Sequence, residues 1–263
     1  MSFRVSIAQQ PLVWQDPAAN RAHFARVLAP LAGATDLVVL PEMFTTGFTM
    51  KPQDQAEPGD GPTRAWLQEQ AVALDAAVGG SVAVEENGRF YNRFMIATPG
   101  GLTYWYDKRH LFRMANEHER YADGKEKLIV ELKGWRVCPM VCYDLRFPVW
   151  IRNRYGASAP GRFDYDLFVI VANWPAPRRT AWRTLLRARA IENLCYAVGV
   201  NRVGRDGNGH DYAGDSAAID FLGEALVDLG AQPQVVTTTL SGAALAGHRE
   251  RFPAQLDADA FQL

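Results

Sequence analysis

The sequence predicts an α/β fold in which two β-sheets pack together and are flanked by helices. Three observations predict it. Short apolar runs alternate with helix-like stretches along nearly the whole chain. Several runs are unbroken Val, Ile, Leu and Ala, as in strands covered on both faces. Eleven such runs against five helices are too many for one open sheet.

Strands are expected at 4–9, 36–40, 77–84, 94–98, 102–106, 135–142, 165–172, 197–203, 216–220, 225–229 and 235–240. Helices are expected over 17–31, 62–74, 148–155, 180–193 and 241–251. Asp16 suits the N-cap of the first helix, with Pro17 at its first position. Gly and Pro are spread as turn punctuation, with no internal repeat and no low-complexity linker, so one domain over 1–263 is expected.

The 263 residues are 48% hydrophobic and 22% charged, the balance of an ordinary globular enzyme. A formal net charge of −1 offers no general attraction to nucleic acid or an anionic membrane. The opening residues hold no long apolar run, and no run is long enough to span a bilayer. Three cysteines argue against a disulfide framework and for a reducing compartment. The expectation is a cytoplasmic protein.

Three runs end in a reactive side chain. Asp-Leu-Val-Val-Leu-Pro ends at Glu42, Leu-Thr-Tyr-Trp-Tyr-Asp at Lys108, and Val-Cys-Pro-Met-Val at Cys142. Carboxyl ends of strands are where α/β proteins gather catalytic groups. A carboxylate, an ammonium and a thiol supply a base, a cation for an oxyanion and a nucleophile, the kit for acyl transfer. Singly, each also reads as a surface charge or an inert core thiol. It is the set that points to chemistry.

Cys138 and Cys142 suggest a metal or redox pair, but strand geometry separates residues four apart by about 13 Å. That is too far for a disulfide or a shared zinc, so Cys138 reads as core. Cys142 precedes Tyr-Asp-Leu-Arg-Phe-Pro, a turn into a helix, which is the setting of a nucleophile elbow. A nearby helix start is expected to depress its thiol pKa. Cys195 follows a helix without polar neighbours and reads as buried. His110, in Lys-Arg-His-Leu-Phe, reads as a structural hydrogen-bonding residue, with a Cys–His hydrolase as the alternative.

Leu-Pro-Glu-Met-Phe (40–44), Tyr-Asp-Lys-Arg-His-Leu-Phe (106–112) and Val-Cys-Tyr-Asp-Leu-Arg-Phe-Pro (141–148) resemble the three motifs of the nitrilase superfamily, the carbon–nitrogen hydrolases. Ile7-Ala-Gln-Gln10, Arg187-Ala-Arg-Ala-Ile-Glu-Asn193 and Gly214-Asp-Ser216 extend the resemblance over nearly the whole chain. It implies a four-layer α-β-β-α sandwich that pairs into a homodimer with an eight-layer core. It implies Glu42 as general base, Lys108 as electrostatic stabiliser and Cys142 as nucleophile. The backbone N–H of Tyr143 joins Lys108 at the oxyanion. A second, supporting glutamate is implied between the lysine and cysteine motifs. Counting back from Gly124 selects Glu117, but a short intervening segment and His118 in place of the common serine leave Glu119 open. The alternative is that both are solvated acids. No metal and no organic cofactor is required, and the partner implied is a small amide.

Val-Ala-Asn-Trp-Pro-Ala-Pro-Arg (171–178) and Asn-Arg-Val-Gly-Arg-Asp-Gly-Asn-Gly (201–209) resemble the omega-amidase branch. That branch removes the terminal amide of 2-oxoglutaramate and 2-oxosuccinamate. Asn173, Trp174 and Arg178 follow another strand end and can line the same mouth, and an Arg fork suits a substrate carboxylate. Arg178 and Arg179 read alternatively as helix-flanking surface charges. Trp174 and Trp182 read alternatively as packing residues, and Arg146 as either an ion-paired anchor of its turn or a substrate contact. A deaminated-glutathione amidase, a carbamoyl-amine hydrolase, a nitrilase, or a catalytically silent binding module are the competing functions.

Overall fold

The computed structural model describes residues 1–259. Seven strands form the first sheet: β1 Ser2–Gln9, β2 Leu37–Val39, β3 Glu57–Pro58, β4 Ala77–Glu86, β5 Arg89–Ala97, β6 Thr103–Asp107 and β15 Gln234–Ser241. Their order is β15-β1-β2-β4-β5-β6, with β3 also on β4. Six form the second: β7 Val130–Leu132, β8 Trp135–Val141, β9 Leu167–Ala172, β10 Tyr196–Asn201, β13 Ala217–Ile219 and β14 Ala225–Asp228, ordered β14-β13-β10-β9-β8-β7. Both sheets have a parallel centre and antiparallel flanks. A small hairpin, β11 Val203–Arg205 with β12 Asp211–Ala213, stands apart.

Side-chain alternation builds the layers. Val5, Ile7, Leu37, Val39, Phe94 and Ile96 face the second sheet, in one core with Val137, Val169 and Val198. Their neighbours Ala8, Val38, Leu40 and Met95 face outward. There they meet Phe24 and Leu28 of α1 Pro17–Leu28 and, beyond the short α2 Pro52–Gln55, Trp66, Leu67 and Leu74 of α3 Pro62–Leu74. Helix α6, Arg179–Glu192, covers the second sheet with Trp182, Leu186 and Ala190. The result is the α-β-β-α sandwich the sequence led us to expect, and both covered faces explain the unbroken apolar runs.

Several boundaries differ from expectation. The helix expected over 148–155 is only α5 Pro148–Ile151. Tertiary bonds pull the next residues away: Asn153 donates to the Tyr165 and Asn193 carbonyls and accepts the Tyr165 N–H. Helix α1 stops at Leu28, and Pro30 lies in a following 3₁₀ turn. The strand expected from 94 begins at Arg89, because Asn87-Gly88, both at positive φ, closes a two-residue hairpin onto β4. The run at 197–203 divides at Arg202 into β10 and β11. Asp16 caps α1 as expected, accepting the Ala19 N–H at 2.9 Å. No helix among the described residues is long and apolar enough to cross a membrane.

Candidate active site

Glu42 follows β2 and Lys108 follows β6, both on the first sheet; Cys142 follows β8 and Asn173 follows β9, both on the second. The sandwich brings these four strand ends together. Cys142 opens a 3₁₀ turn, Cys142–Arg146, and has φ 46°, a left-handed conformation that costs a non-glycine residue energy. Met43, next to Glu42, has φ 42°. Its N–H is held by Ser81 Oγ at 2.8 Å, so the glutamate turn is tied to β4. Tyr143 is the second residue of its turn, where an N–H has no partner inside the helix.

Glu42, Lys108 and Glu117 are all wholly buried. Lys108 Nζ donates to Glu42 Oε1 at 3.0 Å and to Glu117 Oε2 and Oε1 at 2.9 and 3.0 Å. Glu117 Oε2 also accepts the Phe112 N–H at 2.6 Å. The Asn173 N–H donates to Glu42 Oε2 at 2.7 Å, and its side-chain amide to the Glu42 carbonyl at 2.6 Å. Of the two glutamates left open, Glu117 enters this cluster, whereas Glu119 is exposed. Lys108 itself is fixed at both backbone ends, by Asn92 O and by the Gly124 N–H.

Asn92 escaped the sequence reading. It lies on β5 and donates to Glu42 Oε1 at 2.8 Å and Glu117 Oε1 at 3.3 Å. Its signal was an asparagine inside a strand, where that residue is depleted.

Burial works against the Lys108 charge, but Glu117 and then Glu42 outweigh it and hold the ammonium above its usual range. Burial pushes the Glu117 carboxyl up, with Lys108 opposing. The Cys142 thiol corrects an expectation. It is raised well above its usual value, not depressed. Burial is the main cause and Glu42 adds to it; together with Glu117 they outweigh Lys108. At rest Cys142 is therefore held as a thiol, and any attack by its sulfur needs a base to take the proton. Cys138 and Cys195 are free and buried, and burial raises the Cys138 thiol to about 12.

A cavity of about 520 Å³ opens over Cys142. Phe48, Phe112, Tyr143 and Trp174 wall it, and His210 and Tyr212 of the small hairpin reach its rim. Arg146 and Arg178 also line it. Arg146 lies over the Trp174 ring at 4.9 Å and Arg178 over Phe112 at 5.3 Å, and neither makes an ion pair among the described residues. Arg179 does, with Asp215 at 2.7 Å. Trp182 is a packing residue whose Nε1–H donates to the Asp215 carbonyl. Trp174 is buried too, and its ring forms part of the wall. His110 faces Asp144, with Nδ1 2.8 Å from Oδ1, and stacks on Phe147.

The carbon-nitrogen hydrolase family profile matches residues 4–248. The chain belongs to the carbon-nitrogen hydrolase family. This hydrolase is 49% identical to the omega-amidase YafV of Escherichia coli strain K12 over 262 residues, 99% of this chain and 98% of that one. It is 33% identical to the 2-oxoglutaramate amidase of Bacillus subtilis, with 96% of each chain covered. A crystal structure of a CN-hydrolase superfamily protein from Xanthomonas campestris, carrying an arsenic adduct in its active site, superposes with a TM-score of 0.99. Identity there is 57%, over 100% of this chain and 99% of that one.

Proposed function

We propose that the hydrolase is an omega-amidase, releasing ammonia from the terminal amide of a small 2-oxo dicarboxylate monoamide such as 2-oxoglutaramate or 2-oxosuccinamate. One observation supports this above others. The cavity has Cys142 and Asn173 at its floor, where Asn173 ties it to the buried Glu–Lys–Glu cluster beneath, and on its wall two guanidiniums that make no ion pair among the described residues. The floor suits amide chemistry, and the guanidiniums suit the far carboxylate. Likeness to an omega-amidase and a 2-oxoglutaramate amidase supports the same substrate class.

In the mechanism proposed, Glu42 takes the Cys142 thiol proton as sulfur attacks the amide carbon. The Lys108 ammonium and the Tyr143 N–H hold the oxyanion. The C–N bond breaks, Glu42 returns the proton to nitrogen, and ammonia leaves a thioester. Glu42 then removes a proton from water, which attacks the thioester carbon. The C–S bond breaks and the thiolate recovers the proton. Glu117, Asn92 and Asn173 hold the base and the cation in place. Asn173 therefore acts mainly on Glu42, rather than on the substrate as its sequence position suggested.

We also read the chain as one domain, since a single apolar cluster spans both sheets, and as a homodimer, on family resemblance. The free cysteines support a reducing, cytoplasmic setting. The test of substrate is kinetic comparison of 2-oxoglutaramate with glutamine and deaminated glutathione. A strong preference for the first is expected. Similar kcat/KM values for all three would remove the omega-amidase reading and leave the amidase one.

A further inference from the structure

Asp144 lies two residues beyond Cys142 with its side chain wholly buried, yet no step of the proposed mechanism uses it. Its oxygens gather partners from both sheets. Oδ2 accepts the Val141 N–H, from the strand end bearing the nucleophile, at 3.1 Å, and the Tyr106 hydroxyl, from β6, at 2.8 Å. Oδ1 accepts the His110 N–H at 2.9 Å and faces His110 Nδ1 at 2.8 Å, so with the carboxylate accepting, that nitrogen carries the proton. The Tyr106 oxygen in turn accepts the Arg109 N–H at 3.2 Å and Trp150 Nε1–H at 3.1 Å. Arg109 and His110 are the two residues after Lys108.

The two halves of the site hang from different sheets. Lys108 comes from the first, Cys142 and Tyr143 from the second. Apolar contact between sheets is non-directional, so it resists separation better than sliding. Hydrogen bonds to a buried carboxylate are directional and strengthened by low dielectric. We infer that Asp144 is a positioning residue: through Tyr106 and His110 it locks the lysine loop to the nucleophile turn. It thereby sets the distance between the Lys108 ammonium and the Tyr143 N–H, the pair that holds the oxyanion. The inference rests on the roles proposed above for Cys142 and Lys108.

Asp144→Asn and Tyr106→Phe both preserve shape. In the first, the new NH₂ must face a group that already donates. In the second, one arm of the lock is removed. Displacing a reacting group by about 1 Å costs about 100-fold, so kcat for ammonia release is expected to fall about 100-fold in Asp144→Asn and about 10-fold in Tyr106→Phe, with KM within about threefold. Alkylation of Cys142 by iodoacetamide needs the thiolate but no oxyanion pair, and at a fixed pH is expected to stay within about threefold of wild type. The charges that chiefly shift that thiol are Glu42, Lys108 and Glu117.

Wild-type kcat in both variants overturns the inference. So does alkylation that falls in step with kcat, which marks a collapsed turn rather than a displaced lysine. If Asp144→Asn does not fold, Tyr106→Phe decides by the same readouts. Cys142→Ala, measured alongside, separates the two levels. Turnover by that variant removes the nucleophile itself. An inactive Cys142→Ala beside fully active Asp144→Asn and Tyr106→Phe removes only the positioning role.

Discussion

Glu117→Gln tests the buried charge cluster most directly. Glu117 accepts from Lys108 on both oxygens, from Asn92 and from the Phe112 N–H. A glutamine has one oxygen, so its NH₂ must face either Phe112 N–H or the Asn92 amide, both donors. One buried N–H left unpaired costs about 1–3 kcal/mol. Lys108 also loses one of its two carboxylates, but keeps Glu42 at 3.0 Å, so the loss stays below the roughly 3–5 kcal/mol of breaking a buried pair outright. Together these give about 2–4 kcal/mol, a fall in Tm of about 5–15 °C for a chain of this size. The freed ammonium loses its bidentate anchor, and kcat is expected to fall about 100-fold. The thiol moves too. Glu117 raises the Cys142 pKa, so removing its charge must lower it. Iodoacetamide labelling should then begin at lower pH than in wild type. Calorimetry, ammonia release and the labelling profile read the three effects separately. Wild-type Tm with wild-type kcat would refute the reasoning, and an unmoved profile would show that Glu117 bears no charge at the assay pH.

Arg178→Ala is expected to raise KM for a 2-oxo dicarboxylate monoamide about 10- to 100-fold through one lost charge-assisted contact. Steady-state kinetics with an uncharged amide of similar size should show little change; an equal rise there would mean Arg178 shapes the cavity without reading charge. Gly124→Ala would place a Cβ 2.0 Å from the Asp107 carbonyl oxygen, where backbone must move. The Gly124 N–H also holds the Lys108 carbonyl, so calorimetry should find a loss of about 1–3 kcal/mol together with reduced kcat. Unaltered stability would show that the loop yields without moving Lys108.

Much of the site was legible because local rules place it. An apolar run ends where its ladder ends, and Glu42, Lys108 and Cys142 each stand at such an end. Asn87-Gly88 carried a readable hairpin signal that extends β5 back to Arg89. Asn153 carried none, because it acts through Tyr165 and Asn193, far along the chain. The choice between Glu117 and Glu119 needed the fold as well. Both fall in one short helix, α4 Glu117–Arg120, and only its docking decides which carboxylate is buried.

The thiol shows the limit most clearly. A helix start beside Cys142 argued for a low pKa, and that local argument pointed the wrong way. The sum that decides the proton includes burial and two carboxylates contributed by residues 100 and 25 positions earlier in the sequence. What the sequence by itself determined were the strand runs, the turn chemistry and the reactive side chains at strand ends, since backbone preference and side-chain period act between near neighbours. Tertiary structure decided which charges meet, which are stripped of water and how two sheets are held in register. Those depend on distance through a low-dielectric interior, and distance in space is not written in sequence order.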